Sequence, residues 1–222
     1  MAVAAAGDVR LFASDVKLLE PGEWLNDNLI AFFFERLAAS HPGVLLLEPS
    51  LCHAAAMLQS ADVLREMVSV SPTAGGVPLV DQLARAKLVL APINDKDSPE
   101  SIDGGTHWSL LRYERRTGEF VHYDSCGRRN ARYAQLVASC LGPLLSSEHR
   151  AAVREAASPQ QANAYDCGVY VIAMAEAICA NEAAQAGGAP EAKGAALSAA
   201  LGALTPDVVA KKRGQLLAQL SQ

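Results

Sequence analysis

The feature that most constrains the fold is an apolar segment that begins abruptly at a polar boundary. Residues 167–181 read Cys-Gly-Val-Tyr-Val-Ile-Ala-Met-Ala-Glu-Ala-Ile-Cys-Ala-Asn, so apolar side chains occupy nearly every face of a helix drawn through them. A helix that is apolar all round is buried in a protein core. The polar residues 158–166 come directly before it. We therefore predict a core helix whose first residue meets a loop.

Shorter apolar patterns ahead of this helix predict a small sheet. Residues 87–93 form a continuous apolar run, which is typical of a buried strand. Residues 106–113 and 119–123 have strand composition, and the turn at 115–118 between them predicts a hairpin. Residues 151–155 predict a fourth strand. Helices, then a small antiparallel sheet, then helices again indicate the α+β class.

Helical segments precede and follow this sheet in the chain. Asn26 or Asp27 is a suitable N-cap for the first, and Thr205 followed by Pro206 starts the last. Besides the core helix, the predicted helices cover residues 29–37, 49–57, 62–68, 80–84, 130–141 and 206 onward. The predicted loops cover residues 8–22, 71–78 and 94–105.

The length and local composition predict one domain with two irregular segments. A chain of 222 residues fits a single domain spanning 1–222. Residues 1–8 are small and apolar and lack the basic start of a secretory signal, so we predict a loose tail. Residues 183–203 are rich in Ala and Gly and low in complexity, so we predict a flexible insertion.

Charge and composition argue against several classes of protein. The formal net charge is −5, whereas nucleic-acid-binding proteins usually carry a basic face. No uninterrupted apolar run approaches the roughly 20 residues of a membrane span, so we predict neither nucleic acid nor membrane as a partner. The five cysteines are odd in number and form no C-x-x-C pair, which predicts no disulfide scaffold and no metal site. We expect a soluble protein of the reducing cytoplasm or nucleus.

Cys167 is the candidate nucleophile because it stands where the polar loop meets the apolar helix. A helix N-terminus carries a partial positive charge and unpaired N–H groups, and both favour the reactive thiolate form. Gly168 would let a substrate backbone come close. The alternative is a small buried cysteine without chemistry, which is the commoner fate of a free cysteine.

A cysteine nucleophile needs a base, and the candidates lie on the predicted hairpin. His107 follows a Gly-Gly pair at the start of one strand, where it can face a cleft. Asp124 ends the adjacent strand, so we expect it beside His107, orienting the imidazole. His122 shares a strand face with Asp124 and is the rival base. The alternatives are a surface histidine at a strand end and an aspartate that only forms a turn.

Acyl transfer also needs donors for the charge that develops on the attacked oxygen. Gln161 precedes Cys167 in the same polar loop, and its side-chain amide is a candidate donor. The backbone N–H of Cys167 is the second. The alternative for Gln161 is a solvated loop side chain. Each residue alone therefore has a structural interpretation beside the catalytic one.

Together, and in this chain order, these residues resemble the Ulp/sentrin-specific cysteine protease family. The motifs that agree are Trp24-Leu25-Asn26-Asp27, Gly104-Gly105-Thr106-His107-Trp108, His122-Tyr123-Asp124-Ser125 and Tyr165-Asp166-Cys167-Gly168. The resemblance implies an adenovirus-protease-like (papain-like) α+β fold, with a small mixed sheet and the nucleophile at the N-terminus of a buried helix. It also implies a catalytic set of His107, Asp124, Gln161 and Cys167, and it disfavours His122. No cofactor is implied.

Two further segments are similar to the deneddylase branch, the sentrin-specific protease eight type. They are the loop from Ile93-Asn94-Asp95 through Gly-Gly to His-Trp, and the tail Leu204-Thr205-Pro206 with Lys211-Lys212-Arg213-Gly214. This branch removes the Nedd-type ubiquitin-like modifier from its precursor tail and from conjugates, and we expect a monomer. Because such modifiers end in Gly-Gly, the resemblance implies a narrow slot under Trp108 and further modifier contacts from Trp24, Asp27 and Asn94. The alternatives are two ordinary core tryptophans and, for Asp27, a helix cap.

The motifs leave several alternatives open. The same fold serves proteases of the sentrin-type modifier or of ubiquitin, an acetyltransferase that uses the same thiol, and a catalytically silent module that only binds a modifier. Residues 162–164 and 183–203 depart from the family pattern. We expect Lys211, Lys212 and Arg213 to form a solvated helix face, and the other cysteines to be buried or incidental.

Overall fold

The computed structural model describes residues 1–70, 76–97, 105–148, 152–184 and 190–220. The chain groups into two compact units, each made of separate stretches of sequence. Unit 1 comprises Met1–His41, Asp124–Gly127 and Ala157–Gln222, and unit 2 comprises Pro42–Tyr123 and Arg128–Ala156. That the whole chain is a single domain stays a prediction. The predicted loops at 71–78 and 94–105 fall largely outside the described residues.

Short strands and helices of ordinary length make up both units. The strands are β1 (Ala4–Ala6), β2 (Val9–Leu11), β3 (Val44–Leu46), β4 (Leu88–Asn94), β5 (Trp108–Glu114), β6 (Glu119–Tyr123) and β7 (Val153–Glu155). The helices are α1 (Ala13–Lys17), α2 (Asp27–Ser40), α3 (Pro49–Leu58), α4 (Ala61–Val70), α5 (Leu79–Arg85), α6 (Ala131–Leu145), α7 (Cys167–Ala184), α8 (Pro190–Gly202) and α9 (Pro206–Leu220). Every predicted helix and strand is therefore present, with shifted ends.

Unit 2 is built on a sheet with the strand order β3-β4-β5-β6-β7. The inner pairs β4–β5 and β5–β6 are antiparallel, which confirms the predicted hairpin. The outer pairs β3–β4 and β6–β7 are parallel, so the prediction of an antiparallel sheet is wrong at both edges. The mixed sheet and the α+β class implied by the resemblance are confirmed. The three-residue strand β3 escapes sequence analysis because it is too short to show a pattern.

The core of unit 2 lies on one face of this sheet. Val89, Ala91 and Ile93 alternate along β4 and pack with buried side chains of α3, α4, α5 and α6. Tyr113 and Phe120 are cross-strand partners, and their ring centroids lie 4.9 Å apart. Such large apolar contacts dominate the energetics of a core, so the hairpin of β5 and β6 is held firmly in place.

Unit 1 begins with a small hairpin. β1 and β2 pair antiparallel, and Gly7 takes a φ of +52° in the turn between them. The prediction of a loose tail over residues 1–8 is therefore wrong for β1. A run of alanines carries little strand signal by itself, and the pairing with β2 supplies the order. The predicted loop at 8–22 likewise contains β2 and the short helix α1.

Helices α2 and α7 contribute many of the buried apolar side chains of unit 1. The Asn26 side chain accepts a hydrogen bond from the Leu29 N–H at 2.9 Å, so Asn26 is the N-cap of α2. Such a cap stabilises a helix by about 1 kcal/mol. Helix α7 is buried along its first turns, which confirms the predicted core helix. Its length and composition would suit a membrane span, and burial of 61% of it inside the protein accounts for that composition.

The C-terminal part of unit 1 is more regular than predicted. Residues 190–202 form helix α8, so the prediction of a flexible insertion over 183–203 is wrong there. Alanine has the highest intrinsic helix propensity, and the buried Leu197 and Leu201 anchor the helix. Residues 185–189 lie outside the described residues. Thr205 caps α9 as predicted, since the Val208 N–H donates to its hydroxyl at 3.4 Å.

Candidate active site

Cys167 is the first residue of α7, and its side chain is buried. Gly168 follows it, and a Cβ added there would lie 2.8 Å from the Leu25 Cβ. Real Cβ atoms do not approach so closely, so glycine is required for Leu25 to pack against this turn. The prediction that Gly168 admits a substrate backbone is wrong for this side of the residue, because Leu25 already fills the space.

The loop before Cys167 is held by a buried ion pair. Arg213 Nε lies 2.8 Å from Asp166 Oδ1, and both side chains are about 4% exposed. The Asn163 side chain ties the same loop, because its Nδ2 donates to Asp166 Oδ2 and its Oδ1 accepts the Asp166 N–H. Its position beside Lys211 and Lys212 predicted a solvated helix face. For Arg213 that prediction is therefore wrong. Sequence analysis misses this role because helical spacing does not reveal a buried carboxylate distant in sequence.

Gln161 is oriented by two hydrogen bonds in unit 1. Its Oε1 accepts from the Ser125 hydroxyl at 2.7 Å, and its Nε2 donates to the Asn163 carbonyl at 2.6 Å. An amide nitrogen carries two hydrogens, and the bond to Asn163 uses one. This arrangement fixes which way the amide points and leaves a donor for an oxyanion. The Gln161 side chain is therefore fixed by hydrogen bonds, and the alternative of a solvated loop side chain is wrong.

Asp124 lies in a short loop clamped by Gln160. The Asp124 Oδ1 accepts the Cys126 N–H at 2.8 Å, and its carbonyl accepts from Gln160 Nε2 at 3.0 Å. Gln160 Oε1 also accepts the Gly127 N–H at 2.9 Å. One carboxylate oxygen of Asp124 therefore stabilises a turn. Turn formation was the alternative to a catalytic role for this residue. Gln160 is a positioning residue whose role no sequence pattern indicates.

The backbone of His107 is held on both sides in unit 2. Its N–H donates to Asp95 Oδ1 at 2.9 Å, and its carbonyl accepts from Asn130 Nδ2 at 3.1 Å. Asn130 Nδ2 also donates to the Ile93 carbonyl, which joins the end of β4 to His107. The His107 side chain is buried. No sequence pattern indicates this role of Asn130, because its partners lie far away in the chain.

Asp95 organises the segment that leads into His107. Its carboxylate accepts hydrogen bonds from the N–H and the hydroxyl of Thr106, and Arg129 lies 3.5 Å away. Burial by itself would raise the pKa of Asp95. The hydrogen bonds from Thr106 and His107 and the charge of Arg129 outweigh it, so the pKa lies below its usual 3.8. The carboxylate form is therefore the form that holds this segment.

The predicted modifier contacts of unit 2 lie beside His107 in the chain. Trp108 is the first residue of β5 and is largely buried. Asn94 ends β4, and its Oδ1 lies 1.8 Å from where a Cβ on Gly105 would be. Gly105 has a φ of +92°, which also requires glycine. Asn94 thus packs under the Gly105 turn, and its contact with a modifier stays a prediction.

The predicted modifier contacts of unit 1 are accessible. Trp24 is 45% exposed, which excludes the ordinary core tryptophan considered as its alternative. Asp27 is exposed at the start of α2, where its carboxylate accepts the Asn28 N–H at 2.9 Å. The capping role belongs to Asn26 instead. Both side chains are therefore able to meet a partner.

His122, the rival base, is a structural bridge. Its side chain has no exposed surface, its Nε2 lies 2.8 Å from Ser109 Oγ, and its Nδ1 lies 2.9 Å from Glu155 Oε2. These bonds join β5, β6 and β7. An imidazole whose two nitrogens are both engaged inside the sheet does not face a cleft, so the structure disfavours His122 as the base.

The remaining cysteines have no catalytic setting. Cys52, Cys140 and Cys179 are buried, and burial raises the pKa of each thiol, that of Cys179 to about 12. These thiols stay protonated and inert at neutral pH. Cys126 is exposed. Among the described residues, the structure contains no cluster of His, Cys, Asp and Glu that could hold a metal ion.

The predicted residues divide between the two units. Unit 1 contains Asp124, Gln161 and Cys167 with Trp24 and Asp27, and hydrogen bonds join the loop at 124–127 to the loop that leads into Cys167. Unit 2 contains His107, Trp108 and Asn94. The pairing of His107 with Asp124 and Cys167 stays a prediction.

The chain is similar to known proteins along nearly its whole length. Residues 74–186 match the Ulp1 protease family, C-terminal catalytic domain. The chain is 35% identical to sentrin-specific protease 8 of Rattus norvegicus, over 97% of this chain and 93% of the relative. It is 32% identical to NEDD8-specific protease 1 of Arabidopsis thaliana, over 78% of this chain and 73% of the relative.

The fold is also similar to that of a solved structure, the C-terminal Ulp1 protease domain in complex with Smt3, the yeast ortholog of SUMO. The TM-score is 0.70 at 17% sequence identity, and the match covers 99% of this chain and 86% of the other. Identity this low supports the fold alone. The fold class implied by the motifs is thereby confirmed.

Proposed function

The chain belongs to the Ulp1 protease family, and on this premise we propose that it is a cysteine protease that cleaves after the C-terminal Gly-Gly of the Nedd-type ubiquitin-like modifier. The activity would serve both precursor processing and release from conjugates (deneddylation). The observation that carries the choice of modifier is the 32% identity to a relative named NEDD8-specific protease 1. A buried thiol at the head of α7, after a loop that orients the Gln161 amide, supports the chemistry.

The proposed reaction follows the general scheme of a thiol protease. His107, oriented by Asp124, takes the proton from Cys167, and the thiolate attacks the carbonyl carbon of the modifier's terminal glycine. The Gln161 amide and the Cys167 N–H stabilise the oxyanion. His107 then protonates the leaving amine, and the C–N bond breaks to leave a thioester. Water, deprotonated by His107, hydrolyses the thioester and releases the modifier.

The proposal also covers the contacts with the modifier, the oligomeric state and the cellular compartment. Trp108, Asn94, Trp24 and Asp27 would contact the modifier, with Trp108 at the slot for its Gly-Gly tail. The exposure of Trp24 and Asp27 supports their part. The protein would act as a monomer on a protein substrate, without nucleic acid or cofactor, in the cytoplasm or nucleus.

The test is adduct formation with modifier probes that carry a C-terminal electrophile. We expect a band shift with the Nedd-type probe that Cys167→Ala abolishes. Cys126→Ala is the matched control, because Cys126 is the exposed cysteine of the described residues and should not be needed. Sentrin-type and ubiquitin probes run in parallel.

Each other outcome rejects part of the proposal. A shift with a different probe alone would keep the chemistry and reject the Nedd-type modifier. A shift that survives in Cys167→Ala would reject the nucleophile. No shift with any probe would reject the protease, and acetyl-coenzyme A consumption would then separate an acetyltransferase from a silent binding module.

A further inference from the structure

Arg213 of helix α9 is buried and uses its whole guanidinium. Its side chain is about 4% exposed. The acceptors are the carboxylate of Asp166 and the carbonyls of Leu18, Glu20, Glu23 and Tyr165, at 2.8 to 3.2 Å. A guanidinium has five N–H hydrogens in a fixed plane, so these bonds engage every one of them. One side chain near the C-terminus therefore joins two loops that are far apart in sequence.

Three of these acceptors belong to the turn ahead of Trp24. The carbonyls of Leu18, Glu20 and Glu23 all point at the guanidinium, and the turn contains Gly22 at a φ of +95°. Converging carbonyl dipoles repel one another unless a cation or donors lie between them. Lysine would not replace Arg213 here, because an ammonium has three donors and no planar fork. The course of residues 18–23 thus depends on arginine at this position.

The same segment contacts the nucleophile helix directly. Leu25 is buried, and it packs so closely on Gly168 that a Cβ there would lie 2.8 Å away. Trp24 stands between Glu23, which Arg213 holds, and Leu25, which α7 holds. Its indole nevertheless remains 45% exposed. Residues 18–25 are therefore tethered at two points to the first turn of α7 and the loop before it.

We infer that Arg213 is a positioning residue that fixes residues 18–25, and with them Trp24, against the N-terminal turn of the helix that carries Cys167. The inference rests on the proposed function in one respect, namely that Trp24 contacts the modifier. Arg213 then governs how well the modifier is held, while Cys167 and Gln161 govern the chemical step. Loss of the arginine should raise KM more than it lowers kcat.

The first experiment compares Arg213→Lys with wild type in steady-state cleavage of a Nedd-type modifier carrying a C-terminal fluorogenic amide. Lysine keeps a positive charge beside Asp166 but cannot hold three carbonyls, so we expect the turn to loosen. We expect KM to rise about tenfold, since a loosened Trp24 would weaken binding of the modifier equally in the ground state and the transition state. We expect kcat to stay within about threefold. Lys211→Met, on an exposed position of the same helix, is the matched control.

The second experiment needs no substrate and reads the segment directly. In a Trp108→Phe background, Trp24 is the remaining tryptophan, and acrylamide quenching reports its accessibility. We expect Arg213→Lys to increase the quenching while circular dichroism stays native. Leu25→Ala releases the other tether and should have the same effect on KM and on quenching. It remains informative if the Arg213 variant fails to fold.

The outcomes separate this inference from the proposed function. If wild type cleaves no modifier while Arg213→Lys still loosens Trp24, the proposed function fails and the tether stands. If Arg213→Lys and Leu25→Ala are folded but leave both KM and Trp24 quenching unchanged, the inference is overturned. A fall in kcat at constant KM would also overturn it, because Arg213 would then act on the chemical step.

Discussion

The two units build their parts of the candidate site by different means. In unit 2, Asn94 ends β4 in register with Trp108 of β5, and His107 comes directly before that paired strand. Two side chains, those of Asp95 and Asn130, add hydrogen bonds to the His107 backbone. In unit 1, Gln161 lies in an irregular loop and Cys167 follows it, and the side chains of Ser125 and Arg213 hold this loop. The first arrangement therefore combines repeated backbone bonds with two side chains, whereas the second has no strand pairing and relies chiefly on side chains.

This difference predicts which substitutions reduce activity and which reduce stability. A strand keeps its course when one side chain changes, because the backbone bonds remain, although a buried side chain of the sheet still contributes to stability. A loop held by one carboxylate or one hydroxyl loses its course when that group is removed, since a buried partner is left unsatisfied. Substitutions in the loops of unit 1 should therefore reduce activity at modest cost in stability. Substitutions inside the sheet of unit 2 should do the reverse.

The largest effect is expected at Gln161. If its amide is an oxyanion donor, Gln161→Ala should lower kcat by about 10²- to 10³-fold, the usual effect of removing such a donor. KM should change little, because the charge develops only in the transition state. Steady-state cleavage of the fluorogenic modifier measures both constants.

Two variants sharpen this prediction. Ser125→Ala removes only the group that holds Gln161 Oε1, so it should lower kcat by about tenfold, which corresponds to about 1.4 kcal/mol. Gln215→Ala, at an exposed position of α9, is the matched control and should be silent. An unchanged kcat in Gln161→Ala would show that this loop is only structural and would remove the contrast between the units.

His122 should show the opposite behaviour. His122→Leu leaves Ser109 and Glu155 without their bridge, so the free energy of unfolding should fall by about 1–3 kcal/mol. Turnover per folded molecule should stay near that of wild type. Urea unfolding measures the first quantity, and turnover normalised by active-site labelling measures the second. His41→Leu, at the partly exposed end of α2, is the control. A folded His122→Leu protein without turnover would instead make His122 the base.

The smallest effect is expected in the pH dependence of stability, through the carboxyl group of Asp95. The folded-state pKa of Asp95 lies below its usual 3.8, so the unfolded state binds the proton more readily. The stabilisation is therefore complete above about pH 4 and is lost as pH falls through the lower, folded-state value. Asp95→Asn should lose stability relative to wild type at neutral pH, and the difference should shrink below pH 4. Urea unfolding across pH 3–7 measures it. A constant difference would show that the carboxylate charge is not involved.

The parts of the fold that depend on a local repeat are predictable from the sequence. The apolar run of β4 and the all-round apolar pattern of α7 each depend on residues close in the chain, and both are present as predicted. Thr205 and Pro206 likewise mark the start of α9 because capping is local. The edge strands β3 and β7 pair in parallel, and parallel partners are not visible in a local pattern.

The residues of the candidate site likewise differ in whether the sequence reveals their role. Cys167 is recognisable because a polar loop meets an apolar helix, and Trp24 and Asp27 because they belong to a motif. Arg213 and Asn130 are not recognisable, since a helical arginine resembles a solvated one and an asparagine before a helix resembles a cap. Each acquires its role from acceptors distant in sequence.

The tether by Arg213 has a consequence for synthesis. Its bond to the Leu18 carbonyl closes a separation of 195 residues. Ribosomes add residues from the N-terminus, so at about 5–20 residues per second the turn ahead of Trp24 waits roughly 10–40 s for its arginine. Between the addition of Cys167 and the addition of Arg213, the nascent chain contains the nucleophile but not the clamp over the turn. The order of translation therefore delays a completed site until α9 has left the ribosome.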